Sequence, residues 1–277
     1  MREGYFLIAL GKYYIDECTL LARTIRKTGD QRPIGLLINP EDREYAWNKN
    51  IFSWPEIVDF EPHGEIWNDC STGFEKFCLY PRIHLEQYIP TTFDATIVVD
   101  SDVICQWNPA ALWAHLNEYA LPIRMLGRAI DLNWHWGHIQ EVSAVYSKAN
   151  HKNTLIPHVH GGFFYFKHDG FTDDFFRAAR SMFWKYDEYK CRRAFRGGRV
   201  DEILFGLVHS HFNIVPIEFD RLAAMAFNYT PEISIPSKLQ TEGGQNVELD
   251  EYIPFVHMFD KMNGRNYKAL YEKAMHV

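Results

Sequence analysis

Long basic runs, CxxC pairs, glycine-rich phosphate loops and membrane-length apolar stretches are all missing from this sequence, and each absence removes a class of function. The formal net charge is -7, from 29 Lys and Arg against 36 Asp and Glu, so no nucleic-acid partner is expected. Arg192, Arg193, Arg196 and Arg199 do cluster, but such a group reads first as a solvated loop and only second as a phosphate or acidic-acceptor site. The five cysteines are odd in number and never spaced CxxC, which fits reduced thiols in a cytoplasm-like compartment rather than a disulfide framework or a zinc ribbon. The first apolar run, Tyr5 to Leu10, is flanked by Arg2, Glu3 and Lys12 and has no small-residue cleavage site. It is too short for a signal peptide or transmembrane anchor and reads as a first strand, so a cytoplasmic location is expected. No GxGxxG follows that strand, and no GxxxxGK followed by Ser or Thr occurs anywhere. Both absences argue against a dinucleotide oxidoreductase and a P-loop NTPase.

What is present is a globular chain of 277 residues, 47% hydrophobic and 23% charged, long enough to bury a sizeable core. Its chemistry centres on ATIVVDSDVI, Ala95 to Ile104. Ala95 to Val99 are mostly β-branched and apolar without alternation, as in a strand buried on both faces of an α/β sheet. Asp100 and Asp102 follow directly. Two apart on an extended backbone, they point the same way and could converge on one hard cation, with small Ser101 leaving the approach open. The carboxyl edge of such a sheet is where open α/β proteins bind ligands. The plainer alternative is that one Asp only caps a turn.

Before that strand, Tyr5 to Leu10 is followed by apolar residues at helical spacing (Ile15, Cys18, Leu21, Ala22, Ile25) ending near Gly29, and then by Ile34 to Ile38. This is a βαβ unit, so the sheet is expected to be mainly parallel. Gly11 and Tyr14, with Ala9 and Leu10 just before them, sit where the strand hands over to its helix, a place suited to a nucleotide base or ribose. Ile57 to Phe60 reads as a short strand. Thr72 to Tyr88 is helical in pattern, with Pro81 ending or kinking it, and Lys76 there could reach a diphosphate or simply be solvated.

After Asp102, Asn108 and Pro109 open a short helix through AALWAHL, and Leu121 to Leu126 reads as a strand. Regular patterning fades from Arg128 to His160, where Trp134, Trp136 and several histidines suggest binding loops or sugar-stacking faces, with core packing at least as good an explanation. His158 and His160, like His209 and His211, have strand spacing for a metal pair, but a hydrogen-bonded structural role is the stronger expectation. Gly161, Gly162 and FFYF form another buried strand, its glycines marking close approach to a ligand or another segment. A helix is expected from about Thr172 to Tyr189, a second beginning near Arg199 with Asp201 and Glu202 in its first turn, and a strand from Phe212 to Ile217. Helix capping is an equal explanation for those two acids. PFVHMFD then places His257 at the end of a short apolar run.

In this order, Lys76 ahead of TIVVDSD, then HGGFFYF, VDEILF and VHMFDKMNG, the motifs resemble the GT-A glycosyltransferases, most closely the glycogenin and bacterial lipopolysaccharide galactosyltransferase group, family eight. The resemblance implies an α/β, Rossmann-like fold: a mostly parallel central sheet flanked by helices in one domain spanning 1–277. Its nucleotide-binding part would cover about 1–105 and its acceptor-side part about 106–277. It implies a metal-dependent transferase moving a hexose from a UDP-linked donor to a carbohydrate or other hydroxyl acceptor, with retention. Mn²⁺ or Mg²⁺ would be held by Asp100, Asp102 and His257. Ser101, Lys76 and Lys261 would attend the nucleotide, Asp131, His160, Gly161 and Gly162 the sugar, and Asp201 or Glu202 would be the catalytic acid. The chain departs from the family's pattern in having His160-Gly161-Gly162 for Asn-Ala-Gly and Asp201-Glu202 for Asp-Gln. It also lacks the late Gly and Lys-Pro-Trp, for which Lys261 and Gly264 stand in.

The residues suit that chemistry by themselves. Breaking a sugar–phosphate bond concentrates charge on the departing diphosphate, and two carboxylates with an imidazole suit a cation such as Mn²⁺ that can stabilise it. The alternatives are a sugar-nucleotide nucleotidyltransferase, a non-catalytic nucleotide- or carbohydrate-binding protein, and a histidine-rich metallohydrolase. The first would carry a Gly-rich, Arg- and Lys-bearing loop after the first strand, and Gly11 to Tyr14 offers little of that. The oligomeric state and the particular sugar are not legible.

Overall fold

The computed structural model describes residues 1–53, 56–118, 123–128, 139–150, 156–194, 196–218, 225–227, 238–240, 246–248 and 255–257. In chain order, β1 (Glu3–Ala9), α1 (Lys12–Lys27), β2 (Ile34–Ile38), the short α2 (Arg43–Trp47) and β3 (Ile57–Asp59) come first. Next come α3 (Gly64–Asp69), a π-helical turn over Glu75–Leu79, α4 (Tyr80–Ile83), α5 (Leu85–Tyr88), β4 (Ala95–Val99), β5 (Val103–Cys105) and α6 (Ala110–Asn117). The remainder holds β6 (Ile123–Arg128), α7 (Ile139–Asn150), β7 (His158–Lys167), α8 (Gly170–Trp184), α9 (Asp201–Phe212) and β8 (Ile217–Glu218). Four short strands close the described chain: β9 (Met225–Phe227), β10 (Lys238–Gln240), β11 (Asn246–Glu248) and β12 (Phe255–His257).

The fold is α/β, divided into two compact units that each draw on separate stretches of chain. Unit 1 comprises Met1–Asp59, Ile97–Ala120 and Phe219–Val277. Here β1 pairs in parallel with β2, and β2 with β3, as the opening βαβ reading requires. Every residue of β2 and β4 is buried, which is why neither shows polar alternation. A second sheet runs β11-β10-β9-β12-β5, with β12 parallel to β9 and antiparallel to β5. Trp113 of α6 donates its indole N–H to the Tyr5 hydroxyl of β1 at 2.9 Å, Tyr5 donates to Asp30 at 2.8 Å, and the Tyr5 ring meets Phe255 of β12 edge to face at 6.3 Å.

Unit 2 comprises Phe60–Thr96 and Leu121–Glu218. It contains β7, antiparallel to β6, and β6 parallel to β8, backed by α8 and α9. Phe164, Phe166, Phe175, Phe176 and Phe205 are all buried, and their rings meet at centroid distances of 5.1 to 5.9 Å. Asp169 caps α8 by accepting the Thr172 N–H at 3.0 Å, and Asn213, left-handed at φ 55°, ends α9. No described helix is long and apolar enough to cross a membrane, and none of the five cysteines is in a disulfide.

Several sequence expectations are corrected. Thr72 to Tyr88 is not one kinked helix: the wide π turn precedes Pro81, which cannot donate a backbone hydrogen bond, and two single-turn helices follow. Helix α7 lies inside the stretch where patterning seemed to fade. Helix α8 stops at Trp184, short of Tyr189, and Phe212 ends α9 instead of opening a strand. His209 and His211 are therefore helical neighbours, not a strand pair. His209 is a core residue whose ring donates to the Phe205 carbonyl at 2.8 Å and accepts the Met125 N–H at 3.4 Å. Nor is the arginine cluster a solvated loop throughout, since Arg199 is buried in ion pairs with Glu75 and Asp69.

Candidate functional site

In unit 1, β4 delivers Asp100 to the end of a buried strand, and two residues later Asp102 leads into β5. Strand β12 runs antiparallel to β5 with His257 opposite Val103, so the imidazole arrives beside Asp102. His257 Nε2 lies 3.0 Å from Asp102 Oδ1, and one ligand atom from each of Asp100, Asp102 and His257 falls within 4.8 Å of the others. Neighbouring donors of an octahedral ion, each about 2.1 Å from it, are roughly 3 Å apart. That is the spacing Asp102 and His257 hold. Two carboxylates and one imidazole, with His257 buried and both aspartates half-exposed, fit a Mn²⁺-like cation with one open side. Among the described residues this is the cluster of acids and histidines that could ligate a metal.

Ser101, placed between the two aspartates, donates its hydroxyl to Glu17 of α1 at 2.8 Å. The β1–α1 turn is tight: the Gly11 N–H donates to the Ala9 carbonyl at 3.0 Å, and Gly11 takes φ 122°, a value open to glycine alone among ordinary residues. Ala9 is buried and Leu10 half-buried, while Tyr14 is exposed and meets Tyr13 edge to face at 5.4 Å. Gly11 and Tyr14 therefore stand at an open helix start with no acid in its first turn.

In unit 2, Asp201 and Glu202 open α9 and diverge in environment. Asp201 is buried and ion-paired with Arg82 of α4. A Cβ on Gly161 would lie 2.5 Å from Asp201 Oδ2, so the glycine is explained by another chain segment pressing on the strand. Glu202 keeps 15% of its side chain exposed, accepts the Gly161 N–H at 3.4 Å, and has its Oε1 3.9 Å from His160 Nε2. His160 Nδ1 accepts the Gly162 N–H at 3.0 Å, which leaves the proton of the neutral ring on Nε2, facing Glu202. Lys76 is half-buried, with its ammonium 5.2 Å from the Trp67 ring centroid.

The turn carrying Lys76 is fastened by groups that sequence reading missed. Thr72 and Glu75 form a reciprocal capping box: the Glu75 N–H donates to Thr72 Oγ1 at 3.1 Å, and the Thr72 N–H to Glu75 Oε2 at 3.3 Å. Fully buried Glu75 also accepts from Ser71 and, through Oε1, from the backbone and guanidinium of Arg199, both at 2.9 Å. Burial raises the pKa of its carboxyl, yet these donors outweigh burial and hold it below the usual range. The T-x-x-E spacing was a legible signal for Glu75, whereas Arg82 left none and Arg199 showed only as one of four clustered arginines. Asp131, Lys261 and the Trp134–Trp136 stretch lie outside the described residues.

No protein-family model matches the chain, and no curated protein matches it by sequence. Solved structures do. Mouse xyloside xylosyltransferase 1 in its apo form aligns with a TM-score of 0.58 at 8% identity, covering 93% of this chain and 97% of that one. The galactosyltransferase LgtC, in complex with donor and acceptor sugar analogs, aligns with a TM-score of 0.56 at 12% identity, over 99% of this chain and 96% of its own. An active-site mutant of LgtC gives 0.55 at 12% identity, covering 99% and 95%. Such low identity shows a shared fold, the GT-A fold expected from the order of the motifs.

Proposed function

We propose that this protein is a metal-dependent glycosyltransferase that takes a hexose from a nucleotide-sugar donor, UDP-linked, and passes it to a hydroxyl acceptor with retention of configuration. The observation that carries the reading is the convergence of Asp100, Asp102 and His257 at the carboxyl end of β4, in a fold shared with solved sugar transferases. Asp100, Asp102 and His257 are the residues that would hold the cation. When bound, a divalent cation there supplies Lewis-acid stabilisation of the charge growing on the diphosphate leaving group.

The chain's other groups take roles from their chemistry. Gly11 and Tyr14 offer an open turn and an exposed ring for the base and ribose. Lys76 contributes a cation toward phosphate charge. Of the two acids on α9, Asp201 is engaged by Arg82 and packs against Gly161, whereas Glu202 accepts the Gly161 N–H. Glu202 is the better candidate to stabilise positive charge at the sugar's reacting carbon, with His160 as its neighbour. Asp131 and Lys261 keep their proposed contacts to sugar and nucleotide.

The test is calorimetry with UDP with and without Mn²⁺, followed by a panel of nucleotide sugars with product analysis. Mn²⁺-dependent UDP binding together with sugar release or transfer supports the proposal. Binding without turnover would make the protein a binding module, and pyrophosphate-dependent nucleotide exchange would make it a nucleotidyltransferase.

A further inference from the structure

We infer that Glu17 is a positioning residue for the metal centre, holding the Asp100–Asp102 turn in its ligating shape through Ser101. The inference rests on reading Asp100, Asp102 and His257 as a cation site. Glu17 is buried on α1 beside Ile15, Cys18, Thr19, Leu21, Ala22, Thr24 and Ile25, and it is only 3% exposed. A carboxylate buried there is costly unless hydrogen-bonded. It accepts the Ser101 hydroxyl at 2.8 Å, and Ser101 is the residue separating the two ligand aspartates.

Two more bonds from α1 and its cap show that the contact belongs to a built clamp. Thr24 Oγ1 accepts the Cys105 N–H at 3.0 Å, and the Thr28 carbonyl accepts the Asn108 side-chain amide at 3.0 Å. At about 100° per residue, positions 17 and 24 fall within roughly 20° of one another around the helix, and Thr28 caps its C-terminus. Helix α1 and its cap therefore grip the chain from Ser101 to Asn108. That span includes β5, whose Val103 sets the register of His257. Glu17 is the clamp point between the two aspartates. Without it Ser101 loses this anchor, and a cation must do more of the ordering of both carboxylates as it binds.

The experiment uses the whole chain with Mn²⁺ alone, titrated by electron paramagnetic resonance of the free ion, with thermal unfolding measured in parallel without metal. Glu17→Ala and Ser101→Ala should each weaken Mn²⁺ binding about tenfold, and the double variant should be no weaker than either. Glu17→Gln keeps an accepting oxygen and should stay within about threefold of the parent protein. Should Glu17→Ala fold poorly, the Ser101→Ala and Glu17→Gln pair reads the same bond. Unchanged Mn²⁺ affinity in Glu17→Ala, multiplicative losses in the double variant, or a Glu17→Gln protein as weak as Glu17→Ala each overturns the inference while leaving the metal site intact. A parent protein that binds no Mn²⁺ overturns the metal reading itself.

Discussion

His257 Nε2 lies 3.0 Å from Asp102 Oδ1, although 155 positions separate the two residues in the chain. Their meeting follows from register: β5 begins one residue after Asp102, and its first residue pairs with His257 at the end of β12. The contact lies at the centre itself, so removing either partner should be felt there first. Asp102→Ala and His257→Ala are each expected to weaken Mn²⁺ binding by more than the roughly 10- to 100-fold typical of outer-sphere changes, and to abolish Mn²⁺-dependent UDP binding. Calorimetry measures both, and parent-like Mn²⁺ affinity in either variant would remove that residue from the ligand set.

Gly161 is predicted to tolerate no side chain. A Cβ there would sit 2.5 Å from Asp201 Oδ2 and 3.2 Å from a guanidinium nitrogen of Arg82, between partners already locked in a buried ion pair. Gly161→Ala should cost about 1–3 kcal/mol in urea unfolding. Gly73→Ala, where nothing lies within 4 Å, should change stability by less than about 0.5 kcal/mol. Equal midpoints for the two variants would mean that α9 yields freely at its start.

The same residues explain what could be seen in the sequence. Strands β1, β2 and β4 were legible because burial on both faces erases polar alternation, and Asp100 and Asp102 because carboxylates ending such a strand need a reason. Helix α7 was missed although Ile139, Val142, Tyr146 and Ala149 recur at helical spacing, because the Trp- and His-rich stretch before it shows no period and hides where it begins. Register across β5 and β12 leaves no trace in either segment, so His257 was picked out by resemblance and not by pattern. Arg82 belongs to a four-residue helix, too short for periodicity to place, and its partner Asp201 is 119 positions away. Glu17 did carry a signal: a carboxylate four residues before Leu21, at the border of the apolar face, conflicts with the local pattern.

His84 should make the protein acid-sensitive well above the range of its carboxylates. Burial is the main force lowering its imidazole from 6.5 to about 4, against the hydrogen bond with the Tyr80 carbonyl at 2.9 Å. The folded pKa is depressed, so the unfolded chain takes up a proton near 6.5 that the folded chain refuses until about 4. The stability contributed is complete above 6.5 and drains as pH falls between those values, by about 3 kcal/mol at most. Replacing the ring by His84→Phe keeps a face for Tyr80, whose ring centroid is 4.2 Å away, and removes the titration. Urea unfolding from pH 7 to pH 4.5 should then fall less steeply than in the parent protein; parallel slopes would assign the loss to another group.

Arg199 is expected to resist even conservative replacement, because three separate partners use the planar shape of its guanidinium. One nitrogen reaches Glu75 at 2.9 Å, another reaches Asp69 at 2.7 Å, and the plane lies 4.0 Å from the Phe183 ring centroid. A lysine ammonium is a point charge on a flexible stem and can serve one carboxylate at a time without stacking. Removing the charge altogether leaves Glu75 buried with its Ser71, Thr72 and backbone donors and one more distant cation, the half-buried Arg193 guanidinium at 3.8 Å. At pH 7, Arg199→Met should therefore cost about 3–5 kcal/mol and Arg199→Lys about half of that. The depressed pKa of Glu75 gives a second handle: its contribution is present above its ordinary 4.5 and is lost as pH falls through the lower folded value. Glu75→Gln should thus be less stable than the parent at pH 7 but show a shallower loss of stability below pH 4.5. A Glu75→Gln protein with the parent's acid slope would show that the Arg199 fork, and not the buried carboxylate's charge, holds this turn together.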